Sequence, residues 1–136
     1  MTSIEFHHIG LACKDIKSFK EALRNLFQIS HETDIVDDPE QNAKVCIVEI
    51  LNGLKLELIQ GKPVENLVKK SITYYHLCFR VDNIDETIEY LSQKGCLLIQ
   101  KPKPATLFNG QRVAFLYTPI GLIELFEGKN ADCSVK

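Results

Sequence analysis

Residues 5–13 read as an extended chain that alternates by side. Ile9, Leu11 and Cys13 fall on one face, and His8, Gly10 and Ala12 on the other. Asp15 then stands where a helix cap belongs, and Ile16, Phe19, Leu23, Leu26 and Phe27 recur at helical spacing as one apolar stripe. The stretch 28–42 is polar and acidic and is broken by Pro39, which predicts a loop around a short strand at 29–36. Two apolar runs, 44–51 and 54–60, flank Asn52-Gly53. That dipeptide predicts a two-residue hairpin turn, which sets Val48 opposite Glu57 and turns Glu49 to the other face. Gly61-Lys62-Pro63 closes the hairpin, and 64–70 predicts a short connecting helix.

The pattern then restarts. From Tyr75 to Val81, His76, Cys78 and Arg80 share one face, and Leu77, Phe79 and Val81 share the other. Asn83 precedes Glu86 by three positions, as in a capping box; Ile84, Ile88 and Leu91 form the inward stripe, and Gly95 marks the stop. Residues 96–100 predict a short strand, and Lys101-Pro102-Lys103-Pro104 predicts an irregular loop. A last hairpin, 112–117 with 122–126, turns at Thr118-Pro119-Ile120-Gly121 and places Glu124 opposite in face to Ile123 and Leu125. Residues 128–136 predict a tail.

The two halves therefore repeat one order: strand, helix, strand, strand, strand. His8 and His76 are 68 positions apart and Glu57 and Glu124 are 67 apart, so each acid follows its histidine by nearly the same interval. This predicts an α+β fold of two tandem βαβββ modules, 4–68 and 72–127, in a single domain whose curved mixed sheet surrounds a cleft. If a pseudo-twofold joins the polar faces, His8, Glu57, His76 and Glu124 converge. Two imidazoles and two carboxylates suit a divalent ion, and the two acids neutralise its charge. The other reading makes the acids strand-edge residues and the histidines hydrogen-bonded structural partners; four residues in register favour the ion. His7 and His31 have no counterpart in the other module and read as surface residues.

Composition narrows the classes. The 136 residues are 45% hydrophobic and 25% charged, ordinary for a globular chain, and the net charge of −2 gives no nucleic-acid footprint. Lys69-Lys70 is too short a basic run to change that. No apolar run reaches membrane-spanning length and no secretory signal is seen, so the expected location is cytoplasmic. Cys13, Cys46, Cys78, Cys96 and Cys133 are odd in number and never form CxxC, which predicts reduced thiols, with Cys13 and Cys96 in or near the core.

These residues resemble the vicinal oxygen chelate superfamily, which includes glyoxalase I, bleomycin-resistance proteins, extradiol dioxygenases and methylmalonyl-CoA epimerase. The resemblance spans about residues 4–127. His8-Ile9-Gly10-Leu11-Ala12, Leu56-Glu57-Leu58-Ile59, Tyr75 to Ile84, and Asn109 to Leu116 ahead of Gly121-Leu122-Ile123-Glu124-Leu125 carry it. Within the superfamily it points to the methylmalonyl-CoA epimerase branch. The resemblance implies paired βαβββ modules, and cobalt, nickel, manganese or zinc on His8, Glu57, His76 and Glu124. It also implies a homodimer and a small-molecule substrate such as an acyl-CoA thioester. The implied activity is isomerisation or epimerisation by proton abstraction next to a thioester or carbonyl, with Glu57 or Glu124 as the catalytic base. Arg80, Lys44 and Arg112 are then candidates to hold an anionic substrate, and Cys78 a candidate wall of the cleft. A lactoylglutathione lyase of the glyoxalase I type shares the ligand set, although Phe19-Lys20 stands where that group has a Phe-Tyr pair. A metal-free small-molecule binder of the bleomycin-resistance (antibiotic-binding) type is the remaining alternative, and such proteins typically lack the four ligands.

Overall fold

The alternation along the first strand decides what lies on each side of the sheet. In the computed structural model, which describes residues 3–128, β1 (Ile4–Ala12) sends Leu11 into one apolar layer and Ala12 into the other. The first half continues with α1 (Ile16–Leu26), β2 (Ile29–Glu32), β3 (Val36–Asp38), β4 (Ala43–Ile50) and β5 (Leu54–Gly61). A short α2 (Glu65–Lys69) leads to β6 (Tyr74–Val81), α3 (Ile84–Gln93), β7 (Leu97–Pro104), β8 (Arg112–Thr118) and β9 (Gly121–Glu127). Both long helices start on side-chain caps at repeat-equivalent positions, Asp15 accepting from the Lys17 amide and Asn83 from the Glu86 amide.

The strands form one open mixed sheet in the order β2-β4-β5-β1-β6-β9-β8-β7, with β3 also paired to β4. The halves meet where β1 runs antiparallel to β6, and each first strand lies parallel to the last strand of its own half. The order is thus mirrored about the β1–β6 seam. α1 covers Leu11, Cys46, Val48 and Leu58, and α3 covers Val81, Ala114, Leu116 and Leu125. The opposite face buries Ala12, Val45, Ile47 and Ile59 in the first half, and Cys78, Val113 and Phe126 in the second. A 3-10 turn, Thr106–Phe108, covers that face at the seam, giving Leu107 to the first cluster and Phe108 to the second. Buried Asp38 holds this cover down, because its carboxylate accepts backbone N–H groups from Gln41, Glu40 and Thr106.

Four local expectations change. The hairpin turn holds three residues, Leu51 to Gly53, with Leu51 and Asn52 both left-handed (φ 53° and 57°), and the pair Ile50↔Leu54 closes it. Register therefore moves by one residue: Ile47, not Val48, lies opposite Glu57, and Glu49 joins the Glu57 face. The proline-rich segment is strand: β7 runs through Pro102 and Pro104, because it is an edge strand and loses no central ladder bond to them. The acidic stretch holds two short strands, β2 and β3, rather than one. The α1 stripe ends early, with Leu26 and Phe27 exposed and Lys20 buried instead, its Nζ bonded to the Thr33 carbonyl and paired with Glu32, each at 2.9 Å. The expected tail from residue 129 lies outside the described residues. Among the described residues, no helix is long and apolar enough to cross a membrane.

Candidate metal centre

Strand register brings the four predicted donors to one point. Gly10 on β1 pairs with Glu57 on β5 and with His76 on β6, while Cys78 on β6 pairs with His8 on β1 and Glu124 on β9. Directly opposed residues share a face, so all four polar side chains leave the sheet on the side away from the helices. Gly10 is required there, since a Cβ would lie 2.3 Å from Cε1 of His76.

His8 Nε2 lies 3.1 Å from Glu57 Oε1 and 3.3 Å from Glu124 Oε1. His76 Nε2 lies 3.4 Å and 3.1 Å from the same two oxygens, and 3.4 Å from His8 Nε2. Donors at roughly 2.0–2.2 Å from a common centre are separated by about 2.8–3.1 Å at cis octahedral positions and about 3.3–3.6 Å at tetrahedral ones. The observed spacings fall in this span. A divalent ion fits the donor set on distance and on charge, two carboxylates with two imidazoles.

The centre is dry. His8 is 0% exposed, Glu124 2%, His76 5% and Glu57 6%. Burial alone lowers an imidazole pKa and raises a carboxyl pKa, but here the charges and contacts of the opposite groups outweigh it. His76 is raised to about 9 and His8 is raised as well, while Glu57 and Glu124 are held below their ordinary range. The cluster thus binds protons on its histidines or a cation among its donors. Glu124 Oε1 has near neighbours in both imidazoles, yet neither approach has hydrogen-bond geometry, so a buried oxygen is left without a directed donor. That orphaned atom is what a cation would satisfy.

The surrounding shell is aromatic. Phe108 stacks over His8 (5.9 Å, 18°) and on Phe126 (4.5 Å, 6°). Tyr75 and Phe115 each meet His76 edge-on, at 4.7 Å and 5.4 Å. Both rings also line a cavity of about 280 Å³ with Glu40, Asn42, Gln100 and Lys103, so they stand between this cavity and His76.

The other predicted site residues lie elsewhere in the network. Arg80 is fully buried, with its guanidinium held by Glu5, by the Gly128 carbonyl and by Asp82 at 2.8 Å. Lys44 pairs with Asp37 at 3.1 Å on the surface, and Arg112 pairs with Glu127 (3.0 Å) and Asp85 (3.1 Å). Cys78 is 0% exposed, packed with Ala105, Phe108, Val113 and Phe126, and its thiol pKa is pushed well up by burial and then by Glu124 and Glu57. It backs the centre from inside the core. His31 is exposed as expected. His7 is not, being 6% exposed and bonded to His8, which corrects its reading as a surface residue. Two cavity residues, Glu40 and Gln100, had no motif to mark them. Gln100 Nε2 is a buried donor without an acceptor among the described residues.

Two mirrored halves and a His/Glu/His/Glu cluster at their seam define the class. The chain belongs to the glyoxalase/bleomycin resistance protein/dioxygenase superfamily, whose family model matches residues 7–115. Among solved structures it is similar to a hypothetical protein from Bacillus halodurans C-125, at 27% identity and TM-score 0.72, covering 94% of this chain and 96% of that one. It is also similar to the methylmalonyl-CoA epimerase of Mycobacterium tuberculosis (21%, TM-score 0.72, 93% of this chain and 89% of that one). The Mn(II)-bound glyoxalase of Novosphingobium aromaticivorans matches as well (12%, TM-score 0.66), covering 99% of this chain but 41% of that one. The last two likenesses speak for the fold alone. No curated protein matches the chain.

Proposed function

We propose that this protein is a divalent-metal-dependent isomerase that removes and returns a proton beside a thioester or carbonyl, in the manner of a methylmalonyl-CoA epimerase. The observation that carries the reading is the convergence of His8, Glu57, His76 and Glu124, two donors from each module, within 3.1–3.4 Å across every imidazole–carboxylate pair. Residues 4–127 act on this reading as one functional domain, since neither module holds the cluster alone. Mixed nitrogen and oxygen donors suit cobalt, nickel, manganese or zinc, and such an ion stabilises negative charge developing on a substrate oxygen.

The chain's own groups supply the rest. Proton transfer needs a carboxylate within reach of the acidic carbon. Glu57 and Glu124 serve as base only by loosening from the ion. Glu40 lines the cavity without that commitment, on the turn that Asp38 anchors to Thr106, and the reading assigns it the proton. Gln100 Nε2 donates to a substrate oxygen, and Lys103 faces an anionic group of the substrate. Burial, then Glu124 and Glu57, push the Tyr75 phenol up to about 12, so it stays protonated as a second donor.

The test follows deuterium from heavy water into the alpha carbon of methylmalonyl-CoA, using metal-loaded protein. Uptake that is lost in Glu40→Gln with the ion retained supports the reading; no uptake by the loaded wild type overturns it. Turnover of the methylglyoxal–glutathione adduct in its place assigns the centre to a lactoylglutathione lyase.

A further inference from the structure

Each half of the centre carries a β-bulge one residue before its histidine. Between β1 and β6 the register passes from Phe6↔Phe79 to His8↔Cys78, which leaves His7 as the extra residue. It later passes from Gly10↔His76 to Leu11↔Tyr74, which leaves Tyr75 as the extra residue on β6. His7 and Tyr75 are 68 positions apart, the same interval that separates His8 from His76. A bulge breaks the two-sided alternation and re-aims a side chain. Both extra residues consequently share the ligand face, and each ring meets the next histidine edge-on: 5.1 Å and 78° for His7 on His8, 4.7 Å and 71° for Tyr75 on His76.

The two rings differ in what they offer. His7 Nδ1 lies 2.8 Å from His8 Nδ1, and both residues are buried. His8 turns its Nε2 to the cluster, so a lone pair can serve a cation there only when the proton sits on Nδ1. That Nδ1–H then donates to His7 Nδ1, and His7 keeps its own proton on Nε2. His7 is wedged edge-on against Phe126 (4.7 Å) and Phe108 (5.7 Å), which limits its rotation. Tyr75 provides no such acceptor, and His76 Nδ1 is buried with no hydrogen-bond partner among the described residues.

We propose that His7 is a positioning residue: by accepting the Nδ1–H of His8 it holds that imidazole in the Nε2-donating tautomer, so the first module presents a preset ligand and the second an adjustable one. This rests on the metal-centre reading above. Outer partners of this kind typically change metal affinity by roughly 10–100-fold.

The experiment compares Co(II) affinity, by chelator competition, and the Co(II) absorption spectrum across four proteins. His7→Phe keeps the ring among Phe108 and Phe126 but removes the acceptor; it is expected to bind roughly 10–100-fold more weakly, with an altered spectrum and unchanged far-UV circular dichroism. His7→Asn places an oxygen at the branch position of Nδ1 and is expected to recover most of the loss. Tyr75→Phe is expected to match the wild type. Equal affinity of His7→Phe and wild type, or equal loss in His7→Phe and His7→Asn, overturns the inference. Should His7→Phe fail to fold, long-range 15N–1H correlation on the wild-type protein decides, because a protonated His7 Nδ1 overturns the assignment and a bare one supports it. Wild-type protein that binds no Co(II) overturns the metal-centre reading itself, a result separate from these.

Discussion

Between its histidine and its acid, the first module places Gly10 and the second places Cys78, at equivalent points of the repeat. The His76 ring lies against Gly10, so closely that a Cβ there would sit 2.3–2.7 Å from three ring atoms. His8 instead accommodates a cysteine across the seam, with Cys78 Sγ and one ring nitrogen each of His7 and His8 all within 4.8 Å of one another. Two positions further on, Ala12 corresponds to Arg80, a small core residue against the largest fully buried side chain among the described residues. Duplication has kept the four donors in place while their supports have diverged. The first module grips its imidazole by a hydrogen bond, and the second by packing against a bare backbone and two aromatic edges.

Substitutions that make one module resemble the other test this contrast. Arg80→Ala, which gives the second module the residue of the first, removes a buried side chain and its packing. It is expected to destabilise by about 3 kcal/mol in denaturant unfolding, with metal affinity unchanged. A drop in affinity equal to that of a ligand variant would return Arg80 to the site. Gly10→Ala is the next largest. Its methyl displaces the His76 ring, so metal affinity should fall on the order of 100-fold, and overpacking should cost about 1–3 kcal/mol. The repeat-equivalent Cys78→Ala should leave affinity within about threefold, since no donor moves.

Acidity offers a third comparison. His76, at about 9, is raised above 6.5, so it stabilises the metal-free fold fully below pH 6.5, and that contribution is lost as pH rises through about 9. Glu57 and Glu124 are depressed, so theirs is present above about 4.5 and lost as pH falls. Metal-free protein should therefore be most stable between about pH 4.5 and 6.5 in thermal unfolding. An entering cation must displace the histidine protons, so affinity should rise by up to about tenfold per pH unit for each proton released, from pH 6 toward 9. Calorimetry in buffers of different ionisation enthalpy reads the released protons, and a flat profile contradicts the coupled cluster. The smallest effect belongs to Lys44→Ala, whose exposed pair with Asp37 contributes less than about 1 kcal/mol. It should change neither stability nor turnover measurably.

The modules and the four donors were legible because a period of two and a repeat of 68 both survive in the residue order. What the order hid is local and small. A single inserted residue per strand leaves no mark in an apolar–polar pattern, yet it carried His7 from the surface reading into the core. Asn52-Gly53 marked a turn, but Leu51 joined it in a left-handed conformation and moved Glu57 from Val48 to Ile47. Pro102 and Pro104 argued for a loop because edge position is a tertiary fact that their neighbours do not announce. Arg80, Lys44 and Arg112 looked available for an anion because pairing with Glu5, Asp37 and Glu127 joins residues from separate elements. Glu40 sat in an acidic stretch whose composition gave no reason to choose it over its neighbours.

The central claim is that one ion is shared across the seam between modules, and equilibrium titration with Co(II) tests it most directly. The account predicts one ion per chain for the wild type, and loss of that binding in each of His8→Ala, Glu57→Ala, His76→Ala and Glu124→Ala. An ion retained at wild-type affinity after the ligand histidine of either module, His8 or His76, is removed would contradict a shared centre.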